Sequence, residues 1–282
     1  MVSDSSFYEL TFPGGSLALD VPKVMGILNI TPDSFHAESR ITAESELLDR
    51  AKRMIDAGAA ILDVGGQSTR PGAERLDAKT EMQRAIPAIT LLRGAFPNVC
   101  ISIDTFYSEV AAEACAAGAN IINDVSGGSL DPNMFSTVAQ LQVPYVLTHI
   151  QGEPQTMQHN PAYEDVVAEV LNYFNEKIEQ LQKMGAHQII IDPGFGFGKS
   201  LQHNLQLLRG LHLFTTLNCA ILAGLSRKKS LQLLVGKDAG ETLNATTVAN
   251  TIALMNNASI LRVHDVGEAV EAVKIVTAMN KA

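Results

Sequence analysis

Eight short apolar runs recur along the chain, and most of them end in polar residues or glycine. They are VMGILNI from Val24, AILDVGG from Ala60, VCISIDT from Val99, IINDVSG from Ile121, YVLTHI from Tyr145, IIIDPGF from Ile189, AILAGLS from Ala220 and ILRVHDV from Ile260. Runs of this length, rich in Ile, Val and Leu, read as buried strands. Most of the intervening segments have helical period. The clearest is Pro161 to Met184, where Tyr163, Val167, Val170, Phe174, Ile178, Leu181 and Met184 fall three or four apart. Gly58-Ala59, Gly118-Ala119 and Gly185-Ala186 each precede a strand, as left-handed C-caps of the helices before them would. Strand–helix alternation repeated this way predicts an α/β fold, a (β/α)8 TIM barrel. No linker divides the chain, so residues 1–282 are expected to form one domain, with a short N-terminal hairpin turning at Pro13-Gly14-Gly15 and closing the barrel's bottom. A doubly wound sheet would carry its glycine fingerprint after the first strand, where this chain has TPDSF.

In such a barrel, chemistry gathers at the C-terminal strand ends. Those ends carry Asn29, Asp63, Asp104, Asn123 with Asp124, His149, Asp192, Ser226-Arg227-Lys228, and Arg262 with His264. Some of these polar groups must cap helices, but capping requires neither Arg nor His. In ILRVHDV, alternation puts Ile260, Arg262 and His264 on one face, and a buried cation there needs an anionic partner. DPGFGFGKS is not a phosphate loop, because position 193 is proline where that motif needs its first glycine. It reads instead as a flexible loop over a ligand, with Phe195 and Phe197 available for stacking. Lys228 suits a Schiff-base lysine whose pKa the neighbouring Arg227 and Lys229 depress, or equally an anion-binding or hydrogen-bonding role. Two loops, NITPDSFHAESR and GGQSTRPGAER, exceed the usual connection of about 2–6 residues. Loops of that composition close over substrates, and Gly65, Gly66 and Gly72 would give the second its flexibility.

Charge narrows the partners. Lys and Arg total 21 against 30 Asp and Glu, a net charge of -9, which disfavours sequence-independent nucleic-acid binding. Three scattered cysteines suggest reduced thiols. The N-terminus lacks a signal-peptide pattern, and no apolar run reaches the roughly 18 residues of a membrane helix. A cytoplasmic location is expected. Cys and His do not cluster at zinc spacing, but Asn29 suits Mg²⁺ shared with substrate phosphates.

MGILNITPDSF, LDVGGQSTRPGA, SIDT, NDVSGG, THIQGEPQTMQ, DPGFGFGK, GLSRK and LRVHDV occur together in order. The set resembles the dihydropteroate synthases of the pterin-binding family, from about Val24 to Val266. The resemblance implies condensation of 6-hydroxymethyl-7,8-dihydropterin diphosphate with p-aminobenzoate, giving 7,8-dihydropteroate and pyrophosphate in folate biosynthesis, by a sulfonamide-sensitive transferase. It implies that Asp104, Asn123, Asp192, Lys228 and Arg262 read the pterin. Asn29, Asp63, Arg262 and His264 would meet the pyrophosphate, with Asn29 placing Mg²⁺. Thr69, Arg70, Pro71 and Phe197 would frame the aminobenzoate. The catalytic set is then Asp63, Asp104, Lys228, Arg262 and His264, in a homodimer.

The chain departs from the family pattern at His36-Ala37-Glu38-Ser39, where S-D-G-G is common, and at Gln67, where Glu is usual. Lys229 replaces a serine that helps hold the aminobenzoate carboxylate, and ETLNAT lacks the usual Arg and Gly of a dimer-forming helix. These departures keep open a non-catalytic pterin-binding paralogue. A pterin-dependent methyltransferase using a corrinoid partner would not need the STRPG and TPDSF loops.

Overall fold

The computed structural model describes residues 8–30, 40–67, 75–152, 157 and 161–282. Two short strands, β1 (Glu9–Phe12) and β2 (Gly15–Ala18), pair antiparallel about the Pro13-Gly14 turn. The eight runs become β3 (Lys23–Asn29), β4 (Ile61–Gly65), β5 (Cys100–Asp104), β6 (Ile121–Asp124), β7 (Tyr145–Thr148), β8 (Ile189–Asp192), β9 (Ala220–Ala223) and β10 (Ile260–Val263). They are parallel, and β10 returns to pair with β3, closing the barrel. Closure leaves the barrel itself without an edge strand.

Helices alternate with these strands: α1 (Arg40–Asp56), α2 (Ala78–Ala95), α3 (Ser108–Ala116), α4 (Met134–Leu141), α5 (Val166–Lys183), α6 (Leu201–Arg209), α7 (Lys229–Val235), α8 (Leu243–Met255) and α9 (Val266–Asn280). Gly58, Gly118 and Gly185 have φ of 101°, 115° and 93°. At each, the glycine N–H and the following alanine N–H reach back to close the helix, as Gly58 to Ile55 and Ala59 to Met54 do, both at 2.9 Å. Such double caps satisfy carbonyls the helix end leaves orphaned.

The alternation along each strand separates two apolar layers. Leu28, Leu62, Ile103, Ile122, Leu147, Ile191 and Leu261 face the helices. Met25, Ile61, Cys100, Ile121, Val146, Ile190, Leu222 and Ile260 fill the lower interior, where Leu10 and Leu19 of the hairpin plug the floor. Gln188 ties the hairpin down, accepting from the Thr11 N–H at 2.6 Å and donating to its carbonyl at 2.7 Å.

Two expectations need correction. The fifth helix begins at Val166, capped by Asp165 Oδ1, which accepts from Val167 and Ala168 N–H. Tyr163 precedes it, and Met184 follows it 48% exposed, so the buried stripe is Val166, Val170, Phe174, Ile178 and Leu181. Of the second loop's glycines, Gly65 ends β4, and Gly66 allows close packing: a β-carbon there would lie 2.9 Å from Glu81 Cγ.

Candidate active site

The same alternation that fills the lower interior carries polar groups one or two inward positions higher. Ile61 is followed inward by Asp63, Cys100 by Ser102 and Asp104, Ile121 by Asn123, Ile190 by Asp192 and Ile260 by Arg262. Register aligns them, with Asp63 beside Ser102 and Asp104 beside Asn123. The top of the barrel is therefore a ring of hydrogen-bonding side chains on rigid strands.

The Arg262 cation meets two carboxylates of the protein itself. Its Nε donates to Asp63 Oδ2 and its Nη2 to Asp104 Oδ2, both at 2.6 Å. Asn123 Nδ2 donates to the Asp63 oxygens at 3.1 and 3.3 Å. Asp63 is thus fully buried and bonded beneath Arg262. Burial pushes Asp104 up to about 7, although Arg262 opposes the shift. Asp104 Oδ1 is buried without a hydrogen-bond partner among the described residues. Such an oxygen costs about 1–3 kcal/mol, more when charged, unless a donor arrives.

On the opposite wall, Asp192 Oδ1 accepts from the Gly194 N–H at 2.8 Å, and burial raises its carboxyl. Lys228 lies with Nζ 4.0 Å from the Phe197 ring centre. Its amine is lowered to about 8 by burial, with Asp192 pulling the other way. Arg227 does not cause this shift, since it is engaged with Asp265. Glycine at 196 leaves room for the lysine stem, because a β-carbon there would sit 3.2 Å from Lys228 Cδ.

DPGFGFGKS is not a loose flap. Phe195 is buried in the core between barrel and helices, and Phe197 packs with Phe106, Val125 and Met157. Lys199 holds the segment from inside. Its Nζ donates to the carbonyls of Gly194 and Phe197, each at 3.0 Å, and lies 2.9 Å from His149 Nδ1. Burial brings Lys199 down to about 7 and His149 to about 2, so the imidazole is neutral.

His264 lies just past β10 and is exposed. Its N–H donates to Ser226 Oγ at 3.2 Å, and that oxygen is 3.0 Å from its Nδ1. Both contacts tie His264 to the segment that follows β9. Asn29 is exposed at the end of β3, and Lys229 is exposed at the first residue of α7. Thr69, Arg70 and Pro71, like His36 to Ser39, lie outside the described residues.

One buried acid escaped the sequence reading. Glu81 lies on the apolar stripe of α2 with Ala78, Ala85, Ala88, Ile89 and Leu92, which was the signal available. It accepts from Gln67 Nε2 at 2.5 Å, and burial pushes it up to about 8. Asp124 is fully satisfied, accepting from the Ser126 N–H and hydroxyl, the Gly128 N–H and the Tyr145 hydroxyl, all within 2.8 Å. Among the described residues no group of three His, Cys, Asp or Glu could hold a metal, and no helix is long and apolar enough to cross a membrane.

A family described as pterin binding enzyme matches residues 25–264. Dihydropteroate synthase of Escherichia coli (strain K12) is 44% identical over 276 residues, covering 97% of each chain. The Yersinia pestis dihydropteroate synthase, solved with a sulfonamide drug complex, superposes with a TM-score of 0.91 at 39% identity, covering 98% of this chain and all of that one. The Xanthomonas albilineans dihydropteroate synthase in complex with 7,8-dihydropteroate gives 0.86 at 37% identity, covering 98% of this chain and 100% of that chain. With the closed barrel and its polar upper ring, these similarities lead to one conclusion: the chain belongs to the pterin-binding enzyme family, among the dihydropteroate synthases.

Proposed function

We propose that the chain, acting as one pterin-binding barrel domain, condenses 6-hydroxymethyl-7,8-dihydropterin diphosphate with p-aminobenzoate to give 7,8-dihydropteroate and pyrophosphate. The observation that carries this reading is the buried Asp104 Oδ1, without a partner among the described residues, beside Arg262 and across from Asp192. A pterin edge presents amino and ring N–H donors, which two carboxylates accept, and an oxo group, which Lys228 meets as donor. Asn123 and Asp63 steady Arg262, whose planar fork suits both the pterin ring and phosphate.

The exocyclic CH₂–O bond breaks and its electron pair leaves with pyrophosphate. Arg262 and the His264 ring donate to the departing oxygens, and the buried carboxylates favour the cation spread over the pterin. The aryl amine then forms the new C–N bond and loses its proton, with Phe197, Thr69, Arg70, Pro71 and Lys229 framing it. Asn29 offers one neutral oxygen, a fit for Mg²⁺ when phosphate oxygens and water supply the remaining ligands. That ion would neutralise leaving-group charge.

Lys229 pairs with the aminobenzoate carboxylate. Comparing sulfonamide inhibition of the Lys229→Ser variant with the parent checks this, and identical curves would refute it. Val248, Ile252 and Met255 on α8, with Ile275 and Met279 on α9, leave an exposed apolar stripe on adjacent helices. A second copy of the chain covers it in a homodimer. Cys100, Cys115 and Cys219 are unpaired thiols, which suits a cytoplasmic enzyme.

The test is pyrophosphate release from dihydropterin diphosphate and Mg²⁺, with and without p-aminobenzoate. Release that requires the aminobenzoate supports condensation. Tight pterin binding without release would instead make the chain a non-catalytic paralogue.

A further inference from the structure

Four described non-glycine residues have positive φ: Gln142, Asn218, Arg227 and Asn257. Three end a helix or a 3-10 segment, but Arg227, with φ 55°, sits on the upper face between β9 and α7. Its turn runs from Leu225 to Lys228, whose N–H donates to the Leu225 carbonyl at 3.3 Å. The third position of a turn with positive φ there normally falls to glycine or asparagine. An arginine accepts that backbone only when its surroundings enforce it.

The enforcement is visible on every side. The Arg227 N–H donates to Thr246 Oγ1 at 3.1 Å, and its carbonyl accepts from Gln232 Nε2 at 2.9 Å. Its guanidinium grips Asp265 in a two-pronged pair, Nε to Oδ2 at 2.9 Å and Nη2 to Oδ1 at 2.7 Å. Nη1 donates to the Ala239 carbonyl at 3.2 Å. The pair is largely buried, with side chains 27% and 18% exposed. Below it, the β9–β10 register ends at Leu261 and Ala223. Above that point side chains replace the ladder: Ser226 with His264, then Arg227 with Asp265.

We infer that Arg227 and Asp265 are a positioning pair for the reaction, locking the β9–α7 turn to the β10–α9 junction. Lys228 and His264 then meet the two ends of one dihydropterin diphosphate at a fixed separation. The inference rests on the roles proposed above for Lys228 and His264. Neither Arg227 nor Asp265 needs to touch substrate. A surface ion pair alone would not require its arginine to hold a glycine-like backbone.

The test uses the full chain with Arg227→Gly, which keeps the turn's φ without strain and removes the fork, Asp265→Asn, and the double variant. A misplacement of about 1 Å lowers rates on the order of 10²-fold, so kcat/KM for the diphosphate substrate should fall by that order in each single variant. KM for p-aminobenzoate should change little. The double variant should fall no further than the worse single, as residues acting as a unit do. The rate of Lys228 acylation in the ligand-free protein should also change, which a purely structural pair would not cause. Should Arg227→Gly fail to fold, Arg227→Lys, with its charge but no fork, is expected to give the same split. Parent-like kcat/KM with unchanged Lys228 acylation would overturn the inference, as would losses that simply add. Lys228→Met separates the two readings. Full activity in that variant overturns the lysine's proposed role and the positioning pair with it. An inactive Lys228→Met beside a fully active Arg227→Gly overturns the pair alone.

Discussion

The lower and upper halves of the barrel interior share the same strands and ladder but have opposite chemistry. Ile61, Cys100, Ile121, Ile190 and Ile260 fill the lower half, and Asp63, Asp104, Asn123, Asp192 and Arg262 line the upper. The backbone pairing supports either layer, so side chains alone divide stability from chemistry. Two buried carboxylates sharpen the contrast. Asp124 has four donors within 2.8 Å, whereas Asp104 keeps one oxygen without a partner among the described residues. The satisfied acid has no acceptor left to offer, whereas the Asp104 oxygen, on an inward position of the upper barrel, is placed to accept from a ligand.

The largest effect should come from breaking the upper layer at its cation. Arg262→Met strands Asp63 and Asp104 without a counter-charge, which should cost about 3–5 kcal/mol of stability. It should also lower kcat by about 10²–10³-fold. Denaturant unfolding and pyrophosphate release measure the two losses, and normal activity would erase the distinction between layers. Ile121→Ala probes the lower layer: about 2–5 kcal/mol of stability should go while kcat/KM of the folded fraction stays near the parent's. A loss of activity without loss of stability would reverse the assignment.

A pH-dependent effect concerns Glu81. Its folded-state pKa of about 8 lies above the ordinary 4.5, so between those pH values the folded protein holds a proton that the unfolded chain releases. That stabilisation is complete below the lower value and fades as pH rises through the window. Glu81→Gln removes this dependence, so the variant should gain on the parent between pH 5 and pH 8 in urea unfolding. A difference that does not change with pH would contradict it.

Much of the fold was legible because parallel strands buried on both faces read as continuous apolar runs, and because glycine caps mark helix ends. The eight runs and the three Gly-Ala caps all appear in the structure. The polar residues at the strand ends could be picked out for the same reason. Their partners could not: nothing local in ILRVHDV names Asp63 or Asp104, which join Arg262 across 199 and 158 positions of chain. Phe195 was misread because loop residues default to the surface, while its side chain turns into the core. Lys199 carries no local signal of its role, although a lysine amid glycines can donate to bare carbonyls from inside a loop.

The measurement that tests the central claim most directly is pterin binding, by calorimetry, to Asp104→Asn and Asp124→Asn beside their melting curves. Charged hydrogen bonds contribute about 1.5–3 kcal/mol, so Asp104→Asn should weaken pterin binding by roughly 10- to 100-fold and lower melting less than Asp124→Asn does, because Asp63 still pairs with Arg262. Asp124→Asn should melt lower and bind pterin normally once folded. Equal affinities for the two variants, or the reverse pattern, would contradict the claim that the unsatisfied carboxylate is the one that reads the ligand.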